Sequence, residues 1–125
     1  MANHLQEAIK DFRYLLNRGY NRDTALRVVG DKHQLEAKSR LLLFRGIYSV
    51  EEAASRRRKL VKPSLLKSER LAVDGYNTLI TVESALENGF VFLCDDGLVR
   101  DLSAVHGKYT ITQKTFHALK LVTQN

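Results

Sequence analysis

The chain's one proline, Pro63, stands just beyond the run Arg56-Arg57-Arg58-Lys59, and the patterning changes across this stretch. Proline disfavours a helical residue before it. Four adjacent positive charges repel one another unless they are solvated or paired. A helix entering this stretch is therefore expected to leave it as a loop, dividing the 125 residues into two parts. We read residues 59–69 as a basic connector between a helical module, 1–58, and a second unit, 70–125. Charge divides in nearly the same place. Residues 1–70 hold 16 Lys and Arg against 8 Asp and Glu, whereas residues 71–125 hold 4 against 6. Such asymmetry predicts a basic contact surface beside a more acidic module. Nucleic acid is the leading partner for the basic half, and the alternative is a solvated, arginine-rich helical surface.

The first part reads as short helices joined by tight turns. Leu5, Ala8, Ile9, Phe12, Leu15 and Leu16 follow the helical apolar period and predict a helix over 3–17, stopped at Asn17-Arg18-Gly19. Asn21 is the expected cap of a second helix with Ala25, Leu26 and Val29 inward, ended by Gly30. Asp31 and Gln34 have capping-box spacing and predict the start of a third, which Gly46 ends. Ser49-Val50-Glu51-Glu52 is a closer fit to the same box and opens a fourth.

The second part alternates. The run ending Leu71-Ala72-Val73-Asp74-Gly75 predicts a buried strand over 70–75, and Thr78 to Leu86 a helix. Phe90 to Cys94 predicts a second strand, punctuated by Asp95-Asp96-Gly97. Strand, helix, strand makes a βαβ unit with a right-handed parallel crossover. The fold class expected is thus α/β: a small helical module, then a partial Rossmann-like unit. Thr112 caps a last helix, with Phe116, Leu119 and Val122 on its inward face. Two parallel strands need cover on their faces and edges. A partner chain, another copy of this chain, or later strands are expected to supply it.

Other classes are set aside. No apolar run approaches the roughly 20 residues that span a bilayer. The start, Met1 to Glu7, has no basic region followed by an apolar core, so no secretory signal is expected and the cytoplasm is the default. With one cysteine, Cys94, neither an intrachain disulfide nor an all-cysteine metal site can form.

Four aspartates carry the chemical reading: Asp74, Asp95, Asp96 and Asp101. Asp74 and Asp95 each follow an expected strand. Were those strands parallel neighbours, both carboxylates would emerge at one sheet edge, where ligands bind in open α/β sheets. Carboxylates converging there can hold Mg²⁺ or Mn²⁺, and such an ion can activate water for phosphodiester hydrolysis. Asn77 is placed to orient a phosphate or to cap the following helix. Asp95-Asp96-Gly97 also reads as a turn. In the basic segment, Arg56, Arg57, Arg58, Lys59 and Lys62 are the candidate phosphate contacts; as cations at a helix end they also suit its dipole. His106, Arg100, Lys108 and Tyr109 are further candidates beside the acidic group, each with a solvated surface role as its alternative.

A resemblance adds to this. Gly19-Tyr20, Arg22-Asp23, Ala25-Leu26, Val29-Gly30-Asp31, Gln34-Leu35 and Arg40 resemble the N-terminal part of uncharacterised prokaryotic proteins called domain of unknown function 434. Val73 to Ile80 and Leu93 to Asp101 resemble segments that follow in that family, which implies no particular activity. The run ending Asp74-Gly75-Tyr76-Asn77 is also similar to the first strand of PIN-like and NYN-like ribonucleases. That likeness implies a divalent-metal-dependent, RNA-directed nuclease or a remnant of one. Asp74 would be the first metal ligand and Asn77 a site residue. Those nucleases draw further acids from later strands, for which Asp95, Asp96 and Asp101 are the candidates here. The rival expectation is a non-catalytic nucleic-acid-binding or assembly module.

Overall fold

The computed structural model describes residues 2–87, 89–102 and 111–124. Four helices follow one another in the first half: α1 (Ala2–Asn17), α2 (Arg22–Lys32), α3 (Ala37–Gly46) and α4 (Val50–Arg57). A 3₁₀ turn (Pro63–Leu66) leads to α5 (Gly75–Leu86), strands β1 (Val91–Leu93) and β2 (Val99–Asp101), and α6 (Gln113–Gln124). The described residues are thus mostly helical with one small two-stranded antiparallel sheet. Packing divides the chain into two units: Met1–Leu60 with Leu93–Leu98, and Val61–Phe92 with Val99–Asn125.

In the helical unit, local signals set most boundaries. Gly19, at φ +86°, ends α1. The Gly19 and Tyr20 amides donate to the Leu16 and Leu15 carbonyls, each at 3.1 Å, which is the Schellman pattern. Asn21 caps α2 by accepting from the Thr24 amide at 3.2 Å. Ser49 caps α4 by accepting from the Glu52 amide at 3.1 Å. The Asn17 side chain, at the end of α1, accepts from the Val50 amide at 2.8 Å. Ala8, Phe12, Ala25, Val29, Leu43 and Ile47 form the core, with Ile9, Leu15, Leu16, Leu26 and Leu35 packed against it. Each large apolar side chain buried there contributes about 1.5–3 kcal/mol.

Two expectations fail in this unit. Helix α2 does not stop at Gly30, which lies buried inside it, but runs to Lys32. Asp31 does not open α3. Its carboxylate accepts from Arg40 at 3.1 Å, Gln34 takes a positive φ of 50°, and α3 starts at Ala37 without a side-chain cap.

The second unit departs further from expectation. Residues 71–74 form no strand, and Leu71 and Val73 are exposed. The two strands that do form are consecutive, and the five residues between them cannot hold a parallel crossover. They make an antiparallel hairpin instead of a Rossmann-like βαβ unit. Helix α5 packs on α6 and on β2. On α6 the buried residues are Thr115 and Ala118, while Phe116 and Leu119 face outward. The inward face is therefore Thr115 and Ala118 with half-buried Val122, so of the three expected inward residues only Val122 lies on it. Thr112 does cap this helix, accepting from the Lys114 amide at 3.2 Å.

Candidate functional site

The hairpin tip 94–98 belongs to the helical unit, and there two groups of sequence candidates meet. The tip is a tight turn. The Cys94 amide donates to the Leu98 carbonyl at 2.8 Å, and the Gly97 amide to the Cys94 carbonyl at 2.9 Å. Gly97 has φ +87°, a conformation that side-chain-bearing residues avoid. The Asp96 side chain turns back to accept from the Leu98 amide at 3.3 Å. The turn reading of Asp95-Asp96-Gly97 therefore describes the local structure.

What the turn presents is an anionic knob set into the basic module. Asp95 accepts two hydrogen bonds from Arg13, at 2.8 and 3.1 Å, in a bidentate fork. The same carboxylate accepts from the Tyr48 amide at 3.2 Å. The Asp95 amide donates to the Gly46 carbonyl at 2.8 Å. The Asp95 carbonyl accepts from Arg57 Nε at 2.9 Å. Asp96, 2% exposed, has Arg56 Nη1 at 3.7 Å from its Oδ2. Arg56 also pairs with Glu52 at 3.3 Å and lies 4.3 Å from the Tyr48 ring centroid. Glu52, Ser55, Arg56, Lys59 and Asp96 line a cleft of about 480 Å³ beside the tip.

A fourth arginine, Arg22, supports this arrangement from within. Arg22 caps the carbonyl end of α3, donating to the Leu43, Phe44 and Ile47 carbonyls. Its guanidinium lies 5.4 Å from the Phe12 and Phe44 ring centroids and 4.7 Å from that of Tyr48. Burial pulls its pKa below the usual arginine value, because desolvation disfavours the charged form. Among the described residues Arg22 Nη1 has no hydrogen-bond partner, and the aromatic faces around the guanidinium compensate in part. Neither Arg13 nor Arg22 is a candidate in the sequence. Arg13 lies 82 positions from Asp95, a separation that no local pattern reports.

The remaining candidates lie elsewhere. Asp74 is exposed and caps α5, accepting from the Asn77 amide at 3.3 Å and from the Asn77 side chain at 2.7 Å. Asp101 accepts from Thr81 at 2.9 Å. The expected convergence of Asp74 and Asp95 at one parallel sheet edge is not formed, because 70–75 is not a strand. Asp95 and Asp96 belong to the helical unit, and Asp74 and Asp101 to the second. Among the described residues, no group of three or more His, Cys, Asp and Glu side chains could hold a metal ion. Arg58, Lys59 and Lys62 are exposed and form no ion pair among the described residues. His106, Lys108 and Tyr109 lie outside the described residues. Among the described residues, no helix is long and apolar enough to cross a membrane.

Comparison with known proteins matches residues 63–125 to a family described as domain of unknown function DUF5616. The chain belongs to that family. Residues 4–59 match a second model, protein of unknown function DUF434. The segments 73–80 and 93–101, grouped above with the DUF434 resemblance, thus fall within the DUF5616 match. An uncharacterised protein of Methanocaldococcus jannaschii is 36% identical over 120 residues, covering 96% of this chain. The chain spans 58% of that relative's length. No solved structure matches the chain. The border between the DUF434 and DUF5616 matches falls at residues 59–63, yet the DUF5616 segment 93–98 packs with the DUF434 helices.

Proposed function

We infer that the chain is a non-catalytic nucleic-acid-binding module whose helical unit contacts the phosphate backbone. The observation supporting this is the basic end of α4. Arg58 and Lys59 stand exposed, without a carboxylate partner among the described residues, and Lys62 follows in the connector. Arg57 spends its Nε on a backbone carbonyl, so its charge is not neutralised there. Unpaired cations of this kind bind phosphates by releasing counterions, which makes affinity salt-dependent and largely indifferent to sequence.

The test is fluorescence anisotropy of the full chain with a labelled single-stranded RNA over a range of salt concentrations. Exchanging Arg58, Lys59 and Lys62 together for glutamine is expected to flatten the slope of log K against log salt by about 2, at roughly 0.7 per lost phosphate contact. An affinity indifferent to salt, or to those exchanges, rejects the reading. The rival is the PIN-like nuclease with Asp74 as metal ligand. Mg²⁺- or Mn²⁺-dependent cleavage of the same RNA, abolished by Asp74→Asn in a folded protein, replaces the binding-only reading with that one.

A further inference from the structure

The hairpin tip holds the arginines of the helical unit in the way a bound phosphate would. Arg13 grips the Asp95 carboxylate through two near-parallel N–H bonds, 2.8 and 3.1 Å long. This fork geometry serves carboxylate and phosphate alike. Arg57 closes on the Asp95 carbonyl, and Arg56 stands beside the Asp96 carboxylate. Two of these three arginines belong to the run that the sequence nominates for phosphate. We propose that Arg13, Arg56 and Arg57 form a second phosphate-binding face, covered in this state by the chain's own Asp95-Asp96 tip acting as an intramolecular stand-in for nucleic-acid phosphate.

The inference rests on the nucleic-acid-binding reading above and deepens it. Exposed Arg58, Lys59 and Lys62 make the first contact; the covered arginines join when phosphate displaces the tip. The exchange is balanced in kind, because a carboxylate–guanidinium fork is given up for a phosphate–guanidinium one. It is also local. The tip's own turn bonds, from the Cys94 and Gly97 amides, need not break, whereas the Asp95 amide must leave the Gly46 carbonyl and the Tyr48 amide must leave the Asp95 carboxylate. The cover lowers the chain's affinity for phosphate by one constant factor, set by the fraction of the time the tip is off the arginines.

The test compares the full wild-type chain with the double variant Asp95→Asn, Asp96→Asn against the same labelled RNA. A charge-matched control, Asp23→Asn with Glu36→Gln, changes two exposed acids away from the tip. The tip variant is expected to bind more tightly, by about tenfold or more, because wild type must first displace the tip. Its salt slope is expected to match that of wild type, since both complexes hold the same arginine–phosphate contacts. A gain no larger than the control's overturns the proposal and leaves the reading of Arg58, Lys59 and Lys62 intact. Binding by the tip variant but not by wild type supports the covered face and rejects first contact by the exposed run; binding by neither overturns both. A readout on unaltered protein guards against misfolding of the variant. Saturating RNA is expected to speed hydrogen exchange at the Asp95 amide of the wild type, and slower or unchanged exchange overturns the proposal.

Discussion

Helices α1 and α6 carry similar apolar patterns and meet different fates. Phe12 on α1 is 0% exposed, sealed by Ala8, Val29 and Leu43, whereas Phe116 on α6 is 67% exposed. A helical period marks a face; whether that face is covered depends on other elements. In the helical unit, α1 packs on α2, α3 and α4. In the second unit, α6 packs on α5 through Thr115 and Ala118, small residues that permit close approach. The largest expected effect follows from this contrast. Phe12→Ala is expected to lower stability by about 3–5 kcal/mol, through lost burial and the cavity left behind. Phe116→Ala is expected to change it by less than about 0.5 kcal/mol. Urea denaturation followed by circular dichroism reads both. Comparable losses would break the contrast, and would mean that the outer face of α6 is covered in solution.

The same contrast holds between two aspartates that look alike in sequence. Asp74 and Asp95 both end an apolar run and are followed within two residues by glycine. Asp74 is bonded within its own turn, to Asn77. Asp95 joins α1, the loop before α4 and the end of α4 through Arg13, Tyr48 and Arg57. Asp95→Ala strands a guanidinium and an amide and is expected to cost about 2 kcal/mol, less than a fully buried pair because Arg13 is partly solvated. Asp74→Ala loses one helix cap and is expected to cost about 1 kcal/mol. Urea midpoints of the two variants, measured side by side, check the order. Equal costs would place the tip on the same footing as an ordinary cap.

What the sequence makes legible follows the range of the interaction. The core face of α1, the caps Asn21 and Ser49 and the stop at Gly19 are each set within a few residues, and each is found where the sequence places it. Asp31 has the spacing of a cap but serves Arg40, nine positions away, and its helix start moves to Ala37. The 70–75 run has the composition of a strand, yet residues 71–74 form none and Gly75 opens α5. The apolar run Phe90 to Cys94 does become a strand, over Val91–Leu93, because β2 lies within hairpin reach. The basic run and the acidic turn are both visible in sequence as separate candidates. That part of one holds the other depends on a docked hairpin, and no spacing within either segment encodes that.

The smallest expected effect tests whether the better-packed unit also carries a charge-dependent share of stability. Asp11, on α1, accepts from Lys32 Nζ at 2.8 Å and lies 2.8 Å from His33 Nε2, tying α1 to the end of α2. The hydrogen bond from Lys32, and then that with His33, holds its carboxyl below the ordinary value of 3.8. A carboxyl whose folded pKa lies below its unfolded one contributes stability above the unfolded value and loses it as pH falls through the folded one. Asp11→Asn is therefore expected to lower stability near neutral pH, by no more than about 0.5 kcal/mol because Lys32 and Asp11 are both substantially solvated. The gap between wild type and variant should narrow below about pH 3.8, as the wild-type carboxyl protonates. Urea melts of both proteins, from neutral pH downward, read that gap. A gap unchanged across the acid range would show that the α1–α2 contact owes its stability to packing around Phe12 and Val29 and not to this carboxylate.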